Sequence, residues 1–144
     1  MLAITIASDL IKQFEGLRLN SYYCPAGHKT IGYGHVIEPQ EQIGNRIDKQ
    51  QAEDLLEKDI RKAETILYRY CRVPLTKNQQ AALISFIFNC GGGAFQASTL
   101  RQKLNRGEYL NAANELLRWV NAKGRVKLQG LVKRRTIERS LFLN

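Results

Sequence analysis

The chain has 144 residues, of which 44% are apolar and 24% charged. This is one domain's length with enough apolar side chains for a core, and it excludes disordered and fibrous classes. Lys and Arg number 22 against 13 Asp and Glu, a net charge of +9 that predicts an anionic partner: nucleic acid, an anionic membrane surface or an acidic cell-wall polymer.

Residues 1–7 are apolar, but no basic residue precedes them and Ser8 and Asp9 close the run. That is too short for a signal-peptide core or a membrane span, so a soluble protein made in a cytoplasm is expected, without a signal peptide. Ile6, Leu10, Ile11 and Phe14 recur at helical spacing before Gly16, which predicts an amphipathic helix over 5–15. Residues 17–47 change character. They hold Gly27, Gly32, Gly34, Gly44, Pro25 and Pro39 among aromatic and β-branched residues such as Tyr22, Tyr23, Thr30, Ile31, Tyr33 and Val36. Short strands joined by tight turns fit that mixture.

Asp48 with Gln51 reads as a capping box opening a long helix over 48–72, which Pro74 stops. Thr76 with Gln79 is a second box, leading into 81–89, which is apolar on nearly all sides and so predicts the central core helix. The glycines at 91–93 end it. Further helices are predicted over 98–105, 109–122 and 131–141, separated by Gly107 and Gly124. The architecture expected is α+β: a small β-containing N-terminal lobe (1–48), a connecting helix (48–72) and an all-helical lobe (73–144) in one domain.

Cys24, Cys71 and Cys90 are odd in number and lack CxxC spacing, and only His28 and His35 are available beside them. No metal site or cofactor is expected, and free thiols in a reducing compartment are the plainer reading for Cys71 and Cys90.

Chemistry points first to Glu15, at the C-terminal end of a predicted helix and beside Phe14 and Leu17. A helix's negative end and apolar neighbours both disfavour a carboxylate, which is what a general acid needs. Downstream, Thr30-Ile-Gly-Tyr-Gly-His35 places alternating glycines in a strand-like run, where a ligand or another backbone could approach closely. On spacing alone an ordinary hairpin explains the run equally well.

Together these residues resemble the phage-type lysozymes, the endolysins or muramidases of glycoside hydrolase family 24. The family pattern is a Glu, eight residues, an acidic residue, five residues and a Thr. Here it reads Phe14-Glu15-Gly16, then Cys24, then Thr30-Ile31-Gly32-Tyr33-Gly34-His35. The likeness continues through Ser85-Phe-Ile-Phe-Asn-Cys-Gly-Gly-Gly-Ala-Phe95 with Ser98-Thr99-Leu100, and through Gly130-Leu131-Val-Lys-Arg134-Arg135-Thr-Ile-Glu138 to Phe142. It implies a lysozyme-like fold and hydrolysis of the β-1,4 bond between N-acetylmuramic acid and N-acetylglucosamine, with inversion. By the resemblance, Glu15 protonates the glycosidic oxygen and Thr30 holds the attacking water. The residue at position 24 assists that water or stabilises the oxocarbenium-like transition state, and Val36 and Phe95 contact the sugar.

Many family members carry Asp where this chain has Cys24. Either Cys24 acts as an anionic stabiliser or nucleophile, or it is a polarisable bystander beside Glu15 and Thr30. His35 is expected to be a buried structural histidine, Glu38, Glu41 and Asp48 to be solvated, and one of Tyr22 and Tyr23 to face a sugar while the other packs. The resemblance implies peptidoglycan strands as the partner of a monomer, without nucleic acid or stable membrane insertion. It also implies accumulation in a host cytoplasm until a separate membrane lesion opens the way to the wall. Two rival readings remain open: a wall-binding relative without activity, and a nucleic-acid-binding helical module built on Arg118, Lys123, Arg125, Lys127, Lys133, Arg134, Arg135 and Arg139.

Overall fold

The computed structural model describes residues 2–122 and 126–144. In chain order, α1 (Ala3–Glu15) leads into three short strands, β1 (Arg18–Tyr23), β2 (Lys29–Gly32) and β3 (His35–Val36). They form one antiparallel sheet in the order β1-β2-β3, with Tyr22 opposite Thr30 and Thr30 opposite Val36. The expected strand-rich segment is therefore present, and its sheet stays small because two tight turns consume the glycines between strands.

The long helix α2 (Lys49–Tyr70) follows, about 33 Å from end to end at 1.5 Å per residue. Asp48 caps it: its carboxylate accepts from Gln51 N at 2.8 Å, and Gln51 Oε1 accepts from Asp48 N at 2.8 Å. Thr76 and Gln79 cap α3 (Lys77–Cys90) in the same way. Residues 81–87 of α3 are buried on every side, and α1, α2 and α7 (Gln129–Leu143) pack around them. This is the predicted core helix.

Two regions depart from expectation. The glycines at 91–93 do not simply end α3: Gly92 and Gly93 open a further short helix, α4 (Gly92–Ala97), ahead of α5 (Thr99–Asn105). A Cβ on Gly92 would meet Ile66 Cδ1 of α2 at 2.7 Å, so the glycine there permits close helix packing. Next, α6 (Tyr109–Leu116) stops well short of residue 122. Beyond it the chain extends into β4 (Asn121–Ala122), which pairs antiparallel with β5 (Val126–Lys127), so this lobe is not all-helical. The helix yields there because Trp119 turns in to meet Phe86 edge-on, ring centres 5.3 Å apart, and Val120 O accepts from Leu128 N at 3.0 Å. Tertiary packing overrides a helical pattern. Lys123, Gly124 and Arg125 lie outside the described residues.

Candidate active site

Glu15 is the last residue of α1, and the chain breaks at Gly16 so that its side chain enters a cleft of about 770 Å³. The sheet supplies one wall, with Tyr22, Cys24, Thr30, Gly34 and Val36. The end of α3 supplies Phe88, Asn89 and Cys90, and the chain around β4 and the start of α7 adds Trp119, Asn121 and Leu131. Elements far apart in sequence thus converge around one carboxyl.

The surroundings of that carboxyl are not only apolar. Arg134 Nη1 of α7 donates to Glu15 Oε2 at 2.9 Å, and the Arg134 guanidinium lies over the Phe14 ring at 4.7 Å. On its other side Gly34 closes in: with φ at +74°, a Cβ there would fall 2.7 Å from Glu15 Oε1. Glycine is required at position 34 both for its left-handed backbone and for this approach.

Arg134 belongs to a buried charged frame. Its Nε lies 3.6 Å from Glu138 Oε2, while Arg135 Nη1 meets Glu138 Oε1 at 2.9 Å. Ser85 Oγ donates to Glu138 Oε2 at 2.6 Å, and Arg135 Nη2 donates to Asn89 Oδ1. Arg135 and Glu138 are both fully buried. Two residues that read as basic surface in the nucleic-acid alternative are therefore internal, and Arg139 donates to Asn114 Oδ1 at 2.9 Å. Among the described residues of that set, Arg118, Lys127 and Lys133 remain exposed. Arg134 escaped the sequence reading as a partner of Glu15, although it stands in a block that carries the resemblance.

Cys24 sits at the head of a tight turn. Its N–H donates to His28 O at 2.9 Å, and Gly27 N donates to Cys24 O at 2.8 Å. Burial pushes the Cys24 thiol up, but hydrogen bonds from the backbone at His28, Ala26 and Gly27 and from the Thr30 hydroxyl outweigh it, and the thiol lies below its ordinary value. Thr30 is buried and its Oγ1 donates to His28 O at 2.9 Å. Its single hydroxyl proton serves that carbonyl or the sulfur, never both at once. By contrast, burial raises the thiols of Cys71 and Cys90.

Val36 is 41% exposed and lines the cleft. Phe95 does not: it is fully buried in the core, outside the cleft lining. Phe88, earlier in the same block, lines the cleft. Tyr22 faces the cleft under the Arg18 guanidinium at 4.5 Å, and Tyr23 is 73% exposed rather than packed. His35 is buried, its Nδ1 2.7 Å from Asp59 and its Nε2 3.0 Å from Glu41. Glu41 is thus a half-buried partner rather than a solvated side chain, and it also accepts from Glu38 N at 2.8 Å. Asp48 is exposed as the α2 cap. Among the described residues no group of three or more His, Cys, Asp or Glu side chains could hold a metal ion.

The profile of the phage lysozyme family matches residues 12–138. The chain is 46% identical over 136 residues to an endolysin of Acyrthosiphon pisum secondary endosymbiont phage 1, covering 92% of each. Among solved structures it resembles the endolysin from Escherichia coli O157:H7 phage FAHEc1, with a TM-score of 0.88 and 34% identity over 100% of this chain and 94% of that one. It also resembles the muramidase domain of SpmX from Asticaccaulis excentricus, with a TM-score of 0.86 and 37% identity over 96% and 95% of the two chains.

Proposed function

Because the chain belongs to the phage lysozyme family, we propose that it hydrolyses the β-1,4 bond between N-acetylmuramic acid and N-acetylglucosamine in peptidoglycan, as a phage or prophage endolysin. The observation that carries this reading is the convergence of Glu15, Cys24 and Thr30 on one inter-lobe cleft.

Glu15 is the general acid. Arg134 occupies Oε2, so Oε1 carries the proton that passes to the glycosidic oxygen as the C–O bond breaks. Across the cleft a water attacks the anomeric carbon from the opposite face, which inverts it. When the Thr30 hydroxyl donates to His28 O, its lone pairs are left to accept a hydrogen from that water. In that arrangement Cys24 keeps the backbone hydrogen bonds from His28, Ala26 and Gly27 that lower its thiol, and its thiolate stabilises positive charge at the sugar and accepts the proton that the attacking water releases. Glu15 thereby loses one proton and Cys24 gains one, and solvent restores both. Val36 and Phe88 border the sugar from opposite walls.

The protein acts as a monomer on glycan strands, needs no nucleic acid, and accumulates in the host cytoplasm until a separate membrane lesion admits it to the wall. No helix among the described residues is long and apolar enough to cross a membrane, which is compatible with that route. Digesting purified peptidoglycan with the wild type and with Glu15→Gln tests the reaction: new reducing ends are expected from the wild type alone. Wild type that binds the wall and releases none would leave a binding module in place of an enzyme, and a 1,6-anhydro product would replace hydrolysis by internal transfer.

A further inference from the structure

Asn89 is an exposed cleft residue, and the buried frame holds it from behind. Arginine has donors only, so the atom facing Arg135 Nη2 must be the amide oxygen, and the Cys90 thiol donates to the same Oδ1 at 3.7 Å. Both bonds fix the side-chain orientation. Nδ2 has no acceptor among the described residues. Arg135 itself cannot turn away: it is fully buried, paired with Glu138 and stacked over Phe86 at 5.1 Å. A fixed N–H donor therefore stands in the cleft beside apolar Phe88 and Trp119.

Sugar hydroxyls can rotate to donate or accept, so a fixed donor discriminates little among them. An acetamido group differs, because its carbonyl only accepts and its methyl needs an apolar surface. We propose that Asn89 is a substrate-binding residue whose Nδ2–H donates to the acetamido carbonyl of an N-acetylated sugar bound beside Glu15, with Arg135 as the residue that positions it. The proposal rests on the hydrolase reading for its substrate and adds the group that the cleft wall recognises.

Trp119 is the single tryptophan and lines the cleft, so its fluorescence reports sugar binding. In a Glu15→Gln background, which prevents turnover, Kd is measured for the tetramer of N-acetylglucosamine and for the tetramer of glucosamine. Asn89→Asp keeps an acceptor for Arg135 and removes the cleft donor, whereas Asn89→Leu removes both. Loss of one neutral hydrogen bond predicts acetylated-tetramer binding about five- to tenfold weaker in both variants. Glucosamine-tetramer binding should be unchanged in Asn89→Leu, and unchanged or tighter in Asn89→Asp because that ligand is cationic. Unchanged affinity for the acetylated tetramer, equal losses for both tetramers, or a parent protein that binds both alike would overturn the assignment. The hydrolase reading is judged separately, by reducing ends released from peptidoglycan by the protein with Glu15 intact.

Discussion

The two walls of the cleft are held by different means. Behind the helical wall lies a buried charged frame: Glu138 sits between Arg134 and Arg135, and these two arginines reach Glu15 and Asn89. The sheet wall is shaped by backbone hydrogen bonds around Cys24 and His28 and pinned to α2 by His35, a cation only while protonated. Glu15 is thus held by a buried ion-pair frame, whereas the opposite wall holds Cys24, whose thiol lies below its ordinary value, and a buried imidazole whose value lies above it. One wall is held by buried ion pairs, the other by backbone hydrogen bonds and a buried imidazole.

The largest effect is expected from the helical wall. Glu138→Gln keeps the volume and leaves two buried guanidiniums without their shared anion, a loss of about 3–5 kcal/mol by the usual cost of breaking a buried pair. Urea unfolding checks it; a midpoint within error of wild type would show that the frame contributes nothing net. On the sheet wall, Cys24→Ser should fold normally yet lose about 10²-fold in activity, because a hydroxyl cannot supply the anion, while Cys24→Asp should retain most of it. Reducing-end release on peptidoglycan decides, and equal rates for the Ser variant and wild type would make the thiol a bystander. Where the walls meet, Gly34→Ala forces a left-handed alanine and drives a methyl against Glu15 Oε1. About 1–2 kcal/mol of stability should go, together with more activity than the folded fraction accounts for.

How legible each wall was in the sequence follows the same division. Both capping boxes, the core helix and the sheet segment could be read because caps, periodicity and glycine spacing are local signals. Glu15, Cys24 and Thr30 stood in one short motif. Arg134 and Asn89 did not announce themselves, since what joins them to Glu15 is the meeting of α1, α3 and α7, and residue type at one position carries no record of that. Phe95 was named by its place in the family pattern, and nothing local in that block shows that the turn at Gly91 sends it inward while Phe88 lines the cleft. The strand pair β4–β5 was hidden because residues 117–122 suit a helix, whereas in the fold Trp119 packs on Phe86.

The smallest effect concerns His35 and tests how far the sheet wall depends on protonation. Burial lowers its affinity for a proton, but Asp59 and Glu41 outweigh burial, and the folded value lies above the ordinary 6.5. A raised value means that the protonated ring stabilises the fold fully below about pH 6.5, and this contribution fades as pH climbs through the folded value. Glu41 behaves oppositely. Burial raises it, but Glu38 N–H and His35 prevail and hold it below 4.5, so its share is present above that pH and lost as pH falls through the folded value. The cluster therefore stabilises most between about pH 4.5 and 6.5. His35→Asn should cost about 1–2 kcal/mol at pH 5.5, with the gap to wild type narrowing as the buffer is made alkaline. Chemical denaturation across pH 5 to 9 measures it directly. Parallel stability curves for the two proteins would mean that the imidazole holds the sheet to α2 as a neutral hydrogen-bonding group, and the contrast between the walls would then rest on Cys24 alone.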